Sequence, residues 1–111
     1  MTLAMFRTFL VLLAACVAAP AAAQDWPTKP VKFVVPFPPG GSVDPLARLV
    51  GAKLTDSLKQ QFIVENKPGA SGSIGAAQVA KSPGDGYTFL FVFDTHAVNP
   101  ALIPDLPFDT T

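Results

Sequence analysis

The feature that most constrains the fold of this chain is a repeated order of an apolar segment, a loop rich in glycine, and a helical segment. The first apolar segment, residues 31–35 (VKFVV), lies between Pro30 and Pro36. Its β-branched and aromatic residues are nearly all apolar, which is typical of a strand covered on both faces. A second strand is predicted over residues 61–65, around the short run FIV at 62–64, and a third over residues 87–93.

The segments between these strands carry helix signals. Asp44 followed by Pro45 predicts a helix N-cap and a proline in the first turn. Apolar residues then recur every four positions, which predicts an amphipathic helix whose stripe is Leu46, Val50, Leu54 and Leu58. Residues 73–81 predict a second helix of small residues, closed by the sequence SPG at 82–84.

The order strand, helix, strand, helix, strand predicts an α/β fold with a parallel sheet and right-handed crossovers. Both glycine-rich loops, at residues 36–42 and 68–72, then lie at the carboxyl edge of that sheet. Open α/β sheets bind their ligands at this edge. The sequence therefore places a candidate binding site there.

Charge and cysteine content exclude several classes of function. Eight Lys and Arg balance eight Asp and Glu, so the chain has no basic stripe for a phosphate backbone and nucleic-acid binding is disfavoured. The single cysteine, Cys16, lies in the N-terminal apolar run, which leaves no thiol in the rest of the chain for catalysis or a zinc cluster. No cofactor motif is present, because the lysine of a phosphate-binding P-loop and the dinucleotide glycine pattern are both missing.

The N-terminus predicts a secretory signal peptide spanning residues 1–23. Arg7 precedes an apolar run of about 12 residues, too short for the roughly 20 of a membrane-spanning helix. Cleavage after Ala23 leaves one domain, residues 24–111, of about 88 residues. The alternative is a lipoprotein, because LAAC at residues 13–16 resembles a lipobox that would anchor the chain at Cys16. Both interpretations predict a location outside the cytoplasm.

The first glycine-rich loop, with the sequence PPGGSVD at residues 38–44, suits a carboxylate ligand. Glycine allows close backbone approach, and the free N–H groups at a helix start attract an anion. Asp44 has two compatible interpretations, as the cap of its own helix and as a residue that also shapes the ligand site. Phe37 is a candidate ligand neighbour, with core packing as the alternative.

The second loop repeats this design at Ser71, Gly72 and Ser73. Taken alone, either loop could be a tight turn with glycine at positive φ. A serine hydrolase would present its nucleophile as G-x-S-x-G, and this pattern fails around both Ser71 and Ser73. The chain is therefore predicted not to be an enzyme, with a secreted serine hydrolase kept as a remote alternative.

Thr95 and His96 follow the third strand, so they are expected at the same edge of the sheet. The Thr95 hydroxyl and a His96 ring N–H could both donate to an anion. The alternative for His96 is a structural residue in a loop or helix start. A metal site is not predicted, because His96 is the only histidine and has no partner ligands.

Several short motifs, in this order and spacing, resemble one known family. The motifs are WPTKPV (26–31), VVPF (34–37), GGSVD (40–44), AR (47–48), VENKPGA (64–70), IGA (74–76), DGYT (85–88) and THAVNP (95–100). On these motifs the chain is similar to the Bug/TctC-type substrate-binding proteins of tripartite tricarboxylate transporters. The match runs from about Trp26 to the end.

The resemblance implies a two-lobed periplasmic-binding-protein fold, type II-like, of which this chain is the parallel-sheet portion of lobe 1. It implies a protein without catalysis or cofactors, whose partners are a small carboxylate and the membrane permease subunits of the transporter. Carried over residue by residue, it assigns ligand binding to the following positions: Phe37, Pro38, Gly40, Gly41, Ser42, Asp44, Ser71, Gly72, Ser73, Thr95 and His96.

The family's second lobe is absent from this sequence, so the chain is expected to be truncated. One jaw of a two-lobed clamp is expected to bind weakly, because closure of both lobes desolvates the ligand. Exposed apolar surface and an unpaired strand edge would favour aggregation, and a sharp cooperative thermal transition would count against truncation. The chain is therefore either a binding protein for a di- or tricarboxylate, amino acid or aromatic acid, or a non-functional remnant of one.

Overall fold

The computed structural model describes residues 25–109, together with Leu3 and Ala23. The predicted signal peptide and the alternative anchor at Cys16 thus lie almost entirely outside the described residues. Within the described part, no helix is both long enough and apolar enough to cross a bilayer.

The described residues form a three-stranded parallel sheet with flanking helices, as predicted. The strands are β1 (Val31–Val35), β2 (Phe62–Asn66) and β3 (Thr88–Leu90), in the spatial order β2-β1-β3. The helices are α1 (Val43–Leu58), α2 (Ser73–Ala80) and α3 (Thr95–Leu102), and a short 3₁₀ turn at Ala70–Gly72 precedes α2. Because β1 lies between two parallel neighbours, it forms the centre of the fold.

Strand β1 carries the core. Val31, Val34 and Val35 are fully buried, and because successive side chains point to opposite faces, both faces of β1 are covered. Val35 packs against Val43 and Ala47 of α1, with the half-buried Phe37, Val64 and Phe91 around them. The apolar run predicted as a two-sided buried strand is confirmed.

The predicted stripe of α1 is only partly buried. Val50 and Leu54 are half-buried, whereas Leu46 is 55% exposed and Leu58 is 37% exposed. The apolar and small residues that the helix buries are Val43, Ala47 and Gly51. A Cβ at Gly51 would lie 3.4 Å from the Phe62 carbonyl oxygen, so the small residues of α1 allow its backbone to approach β2 closely. Small residues that let the two backbones approach closely are therefore buried in place of the larger Leu46.

The third strand is shorter than the predicted range 87–93. Regular pairing with β1 covers Thr88, Phe89 and Leu90, and one further hydrogen bond runs from the Phe91 N–H to the Val34 carbonyl at 2.9 Å. Beyond this point β1 has ended and offers no more partners. The chain then turns into α3, which contains Pro100 and was not predicted as a helix.

Candidate functional site

Three loops follow the carboxyl ends of the three strands. Loop 1 comprises residues 36–42, loop 2 residues 67–72, and loop 3 residues 91–94. Because β1 pairs in parallel with both β2 and β3, all three loops leave the sheet at the same edge. The prediction that the two glycine-rich loops share the carboxyl edge is confirmed.

Asp44 holds loop 1 in place. It is only 6% exposed, and its Oδ2 accepts from the Gly40 N–H at 3.2 Å and from Arg48 Nε at 3.1 Å. Its Oδ1 accepts from Asn66 Nδ2 at 2.9 Å. The prediction that Asp44 is the N-cap is wrong, since the helix begins at Val43 and the carboxylate accepts from a loop amide before the helix. It therefore shapes loop 1 from within the first turn.

The Arg48 guanidinium, followed by the Asn66 carboxamide, holds the pKa of Asp44 below its ordinary value. Asp44 is therefore ionised at neutral pH and its charge is balanced by Arg48 at 3.1 Å. A carboxylate engaged on both oxygens has a structural part in the loop and is poorly suited to proton transfer.

Asn66 links β2 to loop 1 and was not among the predicted site residues. Its Nδ2 donates to the Phe37 carbonyl at 3.1 Å as well as to Asp44, and its Oδ1 accepts from Arg48 Nη2 at 3.1 Å. The available signal was a polar residue at the carboxyl end of an otherwise apolar strand. Its partners lie 18 to 29 residues away in sequence, so the pattern alone could not name them.

Loop 2 ends in four consecutive residues with positive φ, Gly69 (133°), Ala70 (47°), Ser71 (55°) and Gly72 (87°). Two of them are not glycine, and each such residue costs about 1–2 kcal/mol in this region. The turn is closed by the Gly72 N–H donating to the Gly69 carbonyl at 3.0 Å and by Ser73 Oγ donating to the Ala70 carbonyl at 2.8 Å. Ser71 is left exposed at the turn.

Phe37 connects all three loops. Its ring lies 5.4 Å from the ring of Phe93 in loop 3, and a Cβ built on Gly72 in loop 2 would lie 3.5 Å from Phe37 Cζ. It also packs against the buried core. The two interpretations of Phe37, core packing and proximity to the site, are thus compatible.

The first turn of α3 brings Thr95 and His96 to this edge. Thr95 Oγ1 is buried and has no hydrogen-bond partner among the described residues. The His96 ring stacks parallel to Phe108 with centroids 5.9 Å apart. Asn99, a second residue missed by sequence reasoning, is 5% exposed and donates from Nδ2 to the Ser71 carbonyl at 3.0 Å.

The predicted site residues thus lie along one edge but differ in exposure. Pro38, Gly40, Gly41, Ser42 and Ser71 are exposed; Phe37, Thr95 and His96 are half-buried; Asp44, Gly72 and Ser73 are buried. The cation in these loops, Lys67, is 2.9 Å from Glu65 and so already paired. The groups that this edge can offer to an anion are therefore backbone N–H groups, hydroxyls and the His96 ring N–H.

Two other concave surfaces of the described part lie away from this edge. An apolar cavity of about 290 Å³ is lined by aromatic and aliphatic residues that include Trp26, Phe33 and Leu54. A second, of about 470 Å³, lies beside Trp26, Asp85 and Tyr87 near the amino ends of β1 and β3. Residues 25–109 contain no cluster of three or more side chains suited to a metal ion.

Comparison with known proteins agrees with this architecture. Residues 46–111 match the family model described as tripartite tricarboxylate transporter family receptor, TctC. The protein BugT of Bordetella pertussis is 43% identical over 101 residues, which cover 89% of this chain and 31% of BugT.

Two solved structures share the fold. An R. palustris protein solved with adipate is 42% identical with a TM-score of 0.73, over 77% of this chain and 29% of that one. MatC from Rhodopseudomonas palustris, solved with bound malate, is 37% identical with a TM-score of 0.71, over 77% and 29%. This chain spans about a third of the length of the curated relatives it matches. With a family model that covers more than half of its residues, the chain belongs to the tripartite tricarboxylate transporter receptor (TctC) family.

Proposed function

We propose that this chain forms the carboxylate-binding part of lobe 1 of an extracytoplasmic solute-binding protein, the receptor of a tripartite tricarboxylate-type transporter. It takes one small carboxylate at the carboxyl edge of its sheet and presents it to the membrane permease subunits. The protein carries out no chemistry on the ligand.

The observation that carries the proposal is the convergence of the three loops. Asn66 joins β2 to loop 1 through the Phe37 carbonyl at 3.1 Å, and Asn99 joins α3 to loop 2 through the Ser71 carbonyl at 3.0 Å. Such long-range bonds fix loops that would otherwise be mobile, which is the preorganisation that a binding site needs. A set of unconnected turns would not require them.

The chemistry of these loops suits a carboxylate. Ser42 and Ser71 are exposed, and they lie beside glycines at the starts of α1 and α2, where backbone N–H groups and the helix dipole favour an anion. Two solved relatives carry adipate and malate, both small dicarboxylates. We therefore place one ligand carboxylate between loop 1 and loop 2, with Thr95 and His96 bordering it.

The contacts of the serines and the histidine support binding without catalysis. Ser73 Oγ donates to the Ala70 carbonyl at 2.8 Å, and the His96 ring stacks on Phe108. A nucleophilic serine needs a base within hydrogen-bond reach, and neither contact supplies one. The serine hydrolase alternative thus gains no support from the geometry.

The location proposed for the protein is the periplasm. The support is the predicted export signal at residues 1–23 and the family's description as a transporter receptor. Mass spectrometry of the exported chain separates the two forms of export. Cleavage after Ala23 leaves an unmodified N-terminus at Gln24, whereas lipoprotein processing leaves an acylated Cys16.

A thermal-shift screen of residues 24–111 tests the proposed function. The ligands are malate, adipate, citrate, an amino acid and benzoate, with glucose as the neutral control. A ligand at 100 times its dissociation constant stabilises the folded state by about 2.7 kcal/mol, so one acid is expected to raise the melting temperature by several degrees without turnover. Labelling of Ser71 or Ser73 by a serine-directed probe would instead favour the hydrolase.

A second candidate is a remnant that does not bind by itself. Leu46, Leu49 and Leu102 are 55%, 60% and 71% exposed, and a larger lobe would cover such side chains. This candidate predicts no stabilisation by any acid of the screen, although a full-length relative such as BugT responds to its own ligand.

A further inference from the structure

We infer that Asn99 is a positioning residue for the ligand site: its carboxamide holds loop 2 in the left-handed turn that presents Ser71. The effect of Asn99 on ligand affinity rests on the proposed function. Its effect on the conformation of loop 2 rests only on the geometry of Asn99 and the loop. Asn99 itself is too far inside the fold to be offered to a ligand, since only 5% of it is exposed.

The turn needs an external restraint. Ala70 and Ser71 have φ of 47° and 55°, a region that L residues other than glycine rarely adopt. Such strain persists only where the surrounding structure determines it. The bonds within the turn come from Gly72 and Ser73, and neither of them uses the Ser71 carbonyl.

Asn99 supplies that restraint from a distant part of the chain. Its Nδ2 donates to the Ser71 carbonyl at 3.0 Å, across 28 residues of sequence. Asn99 lies one turn beyond Thr95 on α3, so the same helix that carries Thr95 and His96 to the site also fixes loop 2. One side chain thereby ties loop 2 to the helix that follows loop 3.

The conservative variant Asn99→Asp gives a test that packing alone cannot imitate. Aspartate has nearly the shape of asparagine, but at neutral pH its carboxylate cannot donate to the Ser71 carbonyl. Burial beside a carbonyl raises the pKa of such an acid, so acidification returns an O–H donor at the same place. Asn99→Ala has no donor at any pH, and Gln78→Glu makes the same change of charge at an exposed position on α2.

The readout is the backbone amide resonance of Gly72 in the ¹⁵N-labelled chain, residues 24–111. The Gly72 N–H belongs to the same peptide group as the Ser71 carbonyl, so it reports the loss of the bond from Asn99. We expect Asn99→Asp to displace this resonance at pH 8 and to return it toward the wild-type position at pH 5. Asn99→Ala is expected to stay displaced at both values, and Gln78→Glu to match wild type.

Binding is followed in the same samples with malate and with adipate as probes. We expect Asn99→Asp to bind about tenfold more weakly than wild type at pH 8, the loss that one broken buried hydrogen bond produces, and to match wild type when both are measured at pH 5. If the Gly72 amide resonance of Asn99→Asp lies at the wild-type position at pH 8, the inference is wrong, whatever the binding result. If wild type binds neither malate nor adipate, the dicarboxylate-binding function is wrong. The Gly72 amide shifts of the variants still decide the role of Asn99 in that case.

A measurement on wild type covers the case in which the variants do not fold. The side-chain amide protons of Asn99 should exchange with solvent at least tenfold more slowly than those of the exposed Gln78, because a buried bonded amide is protected. Equal exchange rates would contradict the bond to Ser71.

Discussion

Gly75 is the position where one added methyl group tests how α2 is seated on the sheet. A Cβ built there would lie 2.7 Å from Pro36 Cβ, 3.0 Å from the Lys67 carbonyl oxygen and 3.1 Å from Pro36 Cα. Two of these three atoms belong to the backbone, so they cannot move aside as a flexible side chain would. The close approach joins the end of β1, the start of loop 2 and the first turns of α2.

Two opposing effects determine how much Gly75→Ala changes the local stability of α2. Alanine in a helix interior is favoured over glycine by about 1 kcal/mol. Overpacking against a fixed neighbour costs about 1–3 kcal/mol, and contacts near 2.7 Å place this site at the upper end. The net expectation is a loss of about 1–2 kcal/mol in the local stability of α2, equivalent to roughly tenfold less protection of its amides.

Native-state hydrogen exchange of the α2 amides measures this loss residue by residue. Gly84→Ala is the matched control, because a Cβ there meets nothing within 4 Å. It is expected to leave protection unchanged. If the α2 amides of Gly75→Ala are protected from exchange as well as those of wild type or better, then α2 does not pack closely on Pro36. The position of loop 2, which leads into α2, would then be wrong as well.

Three further changes test other parts of the site and fold. Asn66→Ala breaks the bonds to Asp44 and to the Phe37 carbonyl, so we expect the local stability of loop 1 to fall by about 1–2 kcal/mol in hydrogen exchange. The pKa of Asp44 is lowered on folding, so its stabilising contribution is complete above the unfolded value near 3.8 and is lost as pH falls through the folded value. In an acid titration the amide resonance of Gly40 should shift at a pH below 3.8, where Asp44 takes up its proton in the folded state. Asp44→Asn should abolish this shift. Trp26→Phe removes the Nε1 donor to the Gly86 carbonyl at 3.1 Å and should lower protection in β3 by about 1 kcal/mol, whereas equal protection would show that the bond is not formed in solution.

The strands and the shared loop edge could be predicted because their signals are local. Pro30 and Pro36 bound β1 on both sides, and its β-branched residues favour a buried strand. Once three strands alternate with two helices, a parallel sheet follows from the handedness of crossovers, and the loop edge follows from the sheet. The family motifs predicted ligand-binding residues at the same edge.

The parts that could not be predicted depend on contacts between distant residues. The carboxylate of Asp44 was assigned to a cap because the sequence shows its neighbour Pro45 but not the competing donors of Gly40, Arg48 and Asn66. Helix α3 was missed because Pro100 is a helix-breaking signal. It is the sixth residue of an eight-residue helix, so the one intrahelical bond that its missing N–H removes is the bond to the His96 carbonyl, and the helix ends two residues later.

The buried face of α1 was predicted only in part, for a similar reason. Val50 and Leu54 are half-buried as the periodic pattern predicts, but Leu46 is exposed. Ala47 and Gly51 are buried instead, because they let the backbone of α1 come close to β2. Hydrophobic periodicity reports which residues are apolar, and it does not report how near two backbones can pack.

The proposed function requires that loops 1 and 2 and the first turn of α3 bind one carboxylate together at the carboxyl edge of the sheet. A titration of the ¹⁵N-labelled chain, residues 24–111, with malate tests it most directly. We expect the amides of Gly41, Ser71 and Thr95 to shift together along one saturation curve while those of Gly84 and Gly86 stay in place. Amides at these three positions that stay unmoved at saturating malate, or shifts confined to the opposite end of the sheet, would contradict it.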